Sequence, residues 1–320
     1  MNRLVLIDGN AVLHRAYHAI PPLTAPDGTL VNAVYGFATM LLRLYHDLQP
    51  TYIAVAFDRP KPTFRKKLFK EYQATRPKMD DDLVGQIEKV HELVRAFGIP
   101  IFEKDGFEAD DVIGTLASNV KKTAIDQVII VTGDRDILQL VDDTTYVYMP
   151  TKGLSEAKLY MDKDVKEKLG VDPKHVVDYK GLAGDSSDNY PGVEGIGPKT
   201  AVSLIETFGT VEKLYAALKK HDVKLKTVSP AVIEKLKNGE QSARLSKDLA
   251  TIRTDVAIDE DIVKHPITSL DTPDSRKFFN DIHFHSLLKR LGNGVNETSD
   301  KQLEASKKEK MKRGEQQQLF

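Results

Sequence analysis

Three apolar runs, each closed by an aspartate, constrain this chain more than any other feature. Leu4 to Ile7 leads into Asp8, Tyr52 to Phe57 into Asp58, and Val128 to Thr132, through Gly133, into Asp134. Short apolar runs without polar alternation suit strands buried on both faces, as in a mainly parallel sheet covered by helices. The intervening segments carry apolar residues at helical spacing. The expected order is strand 3–8, helix 10–19, helix 32–48, strand 52–57, helix 80–97, a short strand at 99–102, helix 108–122, strand 128–132, helix 136–141 and strand 145–149. The fold class is therefore α/β. Such sheets bind ligands at the carboxyl ends of their strands, so the three aspartates should meet at one edge.

Further acids stand beside them. Glu108, Asp110 and Asp111 open the helix at 108, Asp136 follows Asp134, and Asp185 and Asp188 come later. Two unit charges about 4 Å apart repel by roughly 4 kcal/mol at an effective dielectric near 20. Crowded carboxylates must therefore protonate or bind a cation. Oxygen-only ligands suit magnesium or manganese. The chain has no cysteine and no HExxH motif to offer a zinc site. Any one acid could be an ordinary turn or helix-start residue. Strand-end aspartates also occur in phosphatases with an aspartate nucleophile, but that chemistry wants a second aspartate two residues later, and Asn10 stands there.

The 320 residues, 41% of them hydrophobic, can hold one large domain or two smaller ones. The absence of cysteine excludes a disulfide framework and fits a cytoplasmic setting. The first strand begins too near Met1 to leave room for a signal peptide, and no apolar run reaches membrane-spanning length. The net charge of −1 hides two basic clusters, at 59–78 and 301–313. After about residue 160 the strands give way to short helices, and residues 172–255 read as a compact helical unit. Thr272-Pro273-Asp274 starts a late helix. From Gly292 the sequence is polar and lysine-rich, with the composition of a disordered tail.

Residues Gly192 to Ala201 read Gly-Val-Glu-Gly-Ile-Gly-Pro-Lys-Thr-Ala. A Gly-x-Gly turn between short helices lets backbone amides approach a phosphate, and the following helix start and Lys199 add positive charge. Gly195, Gly197, Lys199 and Thr200 are the candidate contacts. The spacing is not that of a Walker A loop. No side chain here suits base-edge reading, so binding would be independent of sequence.

Taken together, these motifs resemble the bacterial 5′ nucleases of the flap endonuclease superfamily: the segments around Asp8, Asp58, Glu108–Thr115, Thr132–Asp136 and Gly184–Asn189, and the hairpin. The resemblance covers roughly residues 2–291. It implies a nuclease core over 1–165, with a helical arch at about 60–80. A helix-hairpin-helix domain would follow over 166–291, then a tail over 292–320. It further implies two divalent metals, magnesium with manganese as the alternative, and structure-selective hydrolysis at 5′ flaps, nicks and 5′ ends, RNA–DNA primers included. Asp8, Asp58, Glu108 and Asp110 would hold one metal. Asp134, Asp136, Asp185 and Asp188 would hold the second, with Asp111 nearby. Potassium would be admissible at the hairpin. The expected protein is a monomer in the bacterial cytoplasm, associated with the nucleoid.

The stretch from Arg65 to Arg76 matches the arch. Arg65 would bind the strand, Phe69 and Tyr72 would stack on bases, and Arg15, Lys70 and Arg76 would meet the scissile phosphate. Two departures bear on turnover: Gln73 stands where the family has lysine, and His14 where it commonly has an aromatic. A weakened, DNA-structure-binding relative is thus the alternative. The last five residues, Gln316 to Phe320, match Gln-x-x-Leu-Phe. That pattern looks like the peptide by which bacterial enzymes dock on the sliding clamp, with Gln316, Leu319 and Phe320 as the anchors.

Overall fold

The computed structural model describes residues 1–152 and 156–293. A six-stranded sheet has the order β3-β2-β1-β4-β5-β6. The strands are β1 (Arg3–Asp8), β2 (Tyr52–Ala56), β3 (Ile101–Phe102), β4 (Gln127–Val131), β5 (Thr145–Lys152) and β6 (Glu156–Tyr160). β1 pairs in parallel with β2 and β4, β2 with β3, and β4 with β5, while β6 runs antiparallel to β5. The chain order reverses across β1 and β4, and the crevice beyond their carboxyl ends is where such a sheet accepts a ligand. β6 escaped the sequence reading because its residues, Glu-Ala-Lys-Leu-Tyr, alternate as an exposed edge and form no apolar run.

Alternate strand residues feed two cores. Leu4, Leu6, Ala54, Ala56, Val128 and Ile130 face one side. Val5, Ile7, Ile53, Val55, Ile129 and Val131 face the other. The second side is covered by α1 (Gly9–Ala19), α2 (Asn32–Leu48) and, after the short α3 (Phe64–Leu68) and α4 (Asp81–Val84), by α5 (Ile87–Ala96). The first is covered by α6 (Ala109–Asn119) through Val112, Ile113 and Leu116. The same core continues into the helical unit: α7 (Asp162–Leu169), α8 (Val176–Ala183), α9 (Pro198–Phe208), α10 (Val211–Lys220), α11 (Pro230–Asn238) and α12 (Glu240–Ala250). One apolar interior thus spans both halves, with α8 packed between α12 and the 3-10 turn at Asp136–Leu140.

The expected helix over 80–97 is broken into α4 and α5 at Gly85–Gln86. Gln86 is buried, and its side-chain oxygen accepts from Ala33 N (2.8 Å) while its amide donates to Asn32 Oδ1 (3.0 Å). The start of α2 has no side-chain cap of its own, so a residue from a distant segment satisfies its open amide. The late helix is two, α13 (Pro273–Asp281) and α14 (His285–Asn293), hinged where His283 takes φ 58°. α13 packs Phe279 edge-on against Phe97, just past the end of α5, with ring centroids 5.8 Å apart. The 136–141 segment is a 3-10 turn, Asp136–Leu140. The arch stretch holds one helical segment, α3, followed by turns. Among the described residues, no helix is long and apolar enough to cross a membrane.

Candidate metal centre

Three strand ends position the first acids. Asp8 closes β1 and caps α1, accepting from Ala11 N at 2.9 Å, and its other oxygen accepts from Thr132 Oγ1 at 2.7 Å. Asp58 follows β2 and accepts from Ala109 N at 2.7 Å, so a strand end caps the start of α6. Asn10 holds that loop by accepting from Asp58 N (2.9 Å). Asp134, after β4, donates its amide to Thr132 Oγ1 (3.0 Å) and accepts from Asp136 N (2.8 Å). Thr132 therefore ties the ends of β1 and β4 together. Gly9 is required here, because a Cβ would lie 2.4 Å from the Phe57 ring.

These groups line one cavity of about 600 Å³, whose walls include Asp8, Asp58, Glu108, Asp110, Asp134, Asp136 and Asp188. His14, Asn10, Tyr72, Gln73 and Arg76 also line it, as do the cations Arg59, Lys61, Arg65 and Lys66. Asp58 is open to water within the cavity yet walled in by protein. Burial pushes the Asp8 carboxyl up to about 7, against the opposing bonds from Ala11 and Thr132. Burial likewise pushes Glu108 up to about 7, although Arg65 pulls it down. Asp110 rises well above its ordinary value, first from burial and then from Asp134, Asp8, Glu108 and Asp58. Asp58 and Asp134 are also raised, chiefly by burial. Burial, followed by His18 and Arg76, lowers the His14 imidazole and favours its neutral form.

Hard, crowded oxygen donors with raised pKa values are the chemistry of a divalent-cation site. Among the described residues no three His, Asp or Glu side chains are already gathered tightly enough to hold an ion. The acids line a wall, and a cation would have to draw them in. The fit is one of donor type and charge. Folded-state pKa values near 7, against ordinary values of 3.8 and 4.5, mean that ionising Asp8 and Glu108 opposes folding. That cost is absent below about pH 4, grows toward pH 7 and is complete above it. A divalent cation should offset it. Magnesium is expected to raise the melting midpoint by on the order of 5 °C at about pH 8, and by less at about pH 5, in a calorimetric scan.

Several expected site residues have other work. Asp111, expected near the second metal, is fully buried, and both its oxygens are taken by Arg65, at 2.6 and 2.8 Å. It also accepts from Arg253 N (2.8 Å) and Glu108 N (3.0 Å). Arg65, expected to bind a strand, is 3% exposed and donates further to Leu249 O (2.8 Å) and Thr251 O (3.0 Å). Tyr72, expected to stack on bases, is buried, with its hydroxyl donating to Glu108 (3.1 Å) and Asp188 (3.4 Å). Asp185 does not line the cavity and pairs with Lys180 at 2.6 Å. Burial pushes Asp185 up, but Lys180 and Ser187 outweigh it and leave it lowered. Asp188 does line the cavity and accepts from Arg76 (2.7 Å) and Gln73 (3.1 Å).

Of the three residues expected at the scissile phosphate, Arg76 lines the cavity, whereas Arg15 and Lys70 do not. Phe69 packs partly buried against the small cluster around Tyr72. In the hairpin, Gly195, Gly197 and Lys199 are exposed and Thr200 is partly so. Gly192 has φ 62°, and a Cβ there would lie 2.3 Å from Gly184 N, so the turn needs glycine. Gly197 precedes α9, with Pro198 in its first turn. The Gly195 carbonyl accepts from Lys235 Nζ at 3.0 Å, placing an ammonium on the hairpin at which potassium would be admissible. Gln316, Leu319 and Phe320 lie outside the described residues.

Sequence reasoning missed Lys180, whose ammonium contacts Asp136 and Asp185, and Thr132, which bridges Asp8 and Asp134. Thr132 carries a local signal, since it directly follows β4 in the segment Thr132-Gly-Asp134. Lys180 carries no local signal, since its partner Asp136 is 44 residues away.

The fold and the cavity define an α/β protein with an acid-lined crevice at the switch point of its sheet, joined to a helical unit carrying a Gly-x-Gly hairpin. Two family models match: the 5′-3′ exonuclease N-terminal resolvase-like domain over residues 3–170, and the 5′-3′ exonuclease C-terminal SAM fold over 171–273. The chain belongs to the 5′-3′ exonuclease family. It is 41% identical over 290 residues to DNA polymerase I of Bacillus subtilis, covering 91% of this chain and 32% of that protein. It is 45% identical over 263 residues to DNA polymerase I of Pseudomonas aeruginosa, covering 82% and 28%. The chain thus spans about a third of the length of these relatives. Among solved structures, bacteriophage T5 5′-exonuclease with bound zinc superposes with TM-score 0.65 at 21% identity, over 88% of this chain and 99% of that one. The catalytic core of Rad2 in complex with DNA gives TM-score 0.60 at 19% identity, over 91% and 92%. These likenesses establish the shared fold.

Proposed function

We propose that the chain is a structure-selective 5′ nuclease that hydrolyses phosphodiester bonds at 5′ flaps, nicks and 5′ ends of DNA and of RNA–DNA primers. The observation that carries this reading is the convergence of Asp8, Asp58, Glu108, Asp110 and Asp134 on one cavity at the carboxyl edge of the sheet. Asp8, Asp58, Glu108 and Asp110 would hold one divalent ion, and Asp134, Asp136 and Asp188, with Asp185 behind them, a second. Magnesium, with manganese as the alternative, would supply water activation and stabilise the attacking and leaving oxygens. The products are a 3′-hydroxyl and a 5′-phosphate. Arg76, one of several cations on the cavity wall with Arg59, Lys61 and Lys66, is suited to a scissile phosphate, and to reach one it must leave Asp188. Residues 1–165 are read as the nuclease core, and 166–291 as the unit whose hairpin amides, with Lys199 and Thr200, hold duplex phosphates. Relatives of this fold have been solved with DNA and with metal ions, including T5 D15 flap endonuclease with both.

The test is a magnesium-dependent cleavage assay on a labelled 5′-flap substrate and on its 5′-blocked and RNA-primer versions. Release of the flap as an oligonucleotide supports the reading. Retained binding without cutting, in magnesium and in manganese, would instead support the weakened DNA-structure binder that Gln73 and His14 raise.

The same reading places the protein at replication and repair intermediates in the bacterial nucleoid, brought there by a C-terminal clamp peptide. Its support is the sequence Gln316 to Phe320 at the end of a polar, lysine-rich stretch, the arrangement of a short anchor on a tether. Deleting residues 316–320 is expected to abolish clamp binding by surface plasmon resonance, with cleavage of isolated flaps unchanged. Unaltered clamp affinity would refute this part alone.

A further inference from the structure

Lys180 projects from α8, its side chain 8% exposed, and its ammonium contacts Asp136 and lies 2.6 Å from Asp185. Burying an ammonium costs several kcal/mol unless it is paired and hydrogen-bonded. This one is paired twice, with carboxylates from separate parts of the chain. Asp188, the neighbouring acid, is engaged by Arg76 and Gln73. Asp8, by contrast, is held by neutral donors, Ala11 N and Thr132. The two halves of the acidic cluster therefore differ. In the first set Asp8 meets neutral donors and Glu108 meets the Arg65 guanidinium at 3.3 Å, whereas in the second Asp136 and Asp185 share one buried ammonium while Asp134 stays on the cavity wall.

We propose that Lys180 is the resident occupant of the second cation position, a positioning residue that holds Asp136 and Asp185 together and must be outcompeted before a second divalent ion binds. This rests on the reading of the acids as two metal-binding sets. Lys180 then sets the interval between the two affinities. The first ion meets the longer Arg65–Glu108 contact, at 3.3 Å, while the second must break two ammonium–carboxylate contacts. A compact monovalent group in a divalent position is a weak brake, since the ion carries twice the charge, and so it delays occupancy without preventing it.

The test is Mn2+ binding to the full chain without DNA, followed by electron paramagnetic resonance of the free ion. The unaltered chain should show one tight site and a second at least about tenfold weaker. In Lys180→Met the second site should tighten about tenfold, a shift of about 1.4 kcal/mol, with the first unchanged. Lys180→Gln, shorter and also neutral, should behave alike if the methionine variant does not fold. Thermal denaturation supplies a second readout: Mn2+ should restore most of the midpoint lost in either variant. An unchanged or weaker second site, or a midpoint loss equal with and without Mn2+, would show Lys180 to be a structural ion pair and overturn the proposal. If the unaltered chain binds no Mn2+, the metal reading itself falls and this inference with it.

Discussion

Asp110→Asn is expected to lower single-turnover cleavage of a 5′-flap substrate by about 10²–10³-fold or more, the usual scale for losing one preorganised electrostatic contact at the reacting centre. It should also leave the metal-free protein as stable as before, or more so. The second expectation separates a site residue from a structural one. Asp110 lies on the cavity wall with its proton held by burial and by the fields of Asp134, Asp8, Glu108 and Asp58. Its folded pKa stands above the ordinary carboxylate value, so its ionisation opposes folding above that value, and a neutral amide removes the opposition. Flap DNA affinity should remain within about threefold, because the substitution does not remove a phosphate-binding cation. Urea denaturation and a quenched-flow assay on the same preparation check both halves. Unchanged cleavage would remove Asp110 from the metal set, and a large loss of metal-free stability would assign it to the scaffold.

Arg65→Met should do the reverse. Its guanidinium joins α3, the start of α6 and the end of α12 through bonds to Asp111, Leu249 and Thr251, the last just past α12. Removing one partner of such a buried pair leaves Asp111 charged and unpaired, at a cost of about 3–5 kcal/mol. The loss should appear as a lower urea midpoint with little change in slope. Flap affinity of the folded fraction should be nearly unaffected. A stable Arg65→Met protein with weakened DNA binding would restore the strand-handling role that the sequence assigned to Arg65.

Much of the site was readable before the fold because its acids follow local signals. Asp8, Asp58 and Asp134 each close or follow a strand; parallel pairing puts those ends on one edge, and the neighbouring places of β2, β1 and β4 set them side by side. The hairpin glycines were readable for a similar reason, as a tight turn demands them at Gly192 whatever surrounds it. The arch residues were not. Arg65, Phe69 and Tyr72 look alike in sequence, a cation and aromatics in a basic stretch. Which of them face solvent depends on what lies opposite. The segment folds onto Leu249, Ala250 and Tyr190, which are far away in the chain, and Arg65 and Tyr72 turn inward. The break in the 80–97 helix falls at a residue with a distant partner too, since the buried side chain of Gln86 caps α2 across a gap of 53 residues.

The sequence alone thus determined the parallel sheet, the edge at which its acids gather, and the hairpin that follows. Each is set by residue types at short spacing, where backbone geometry leaves few alternatives. The tertiary structure decided which charges remain open to a cation. Asp111 is spent on Arg65 and Asp185 on Lys180, while Asp8, Asp58, Glu108, Asp110 and Asp134 face the cavity. Charge pairing acts through space over a few ångströms, and neighbours in space are fixed only when the whole chain has packed.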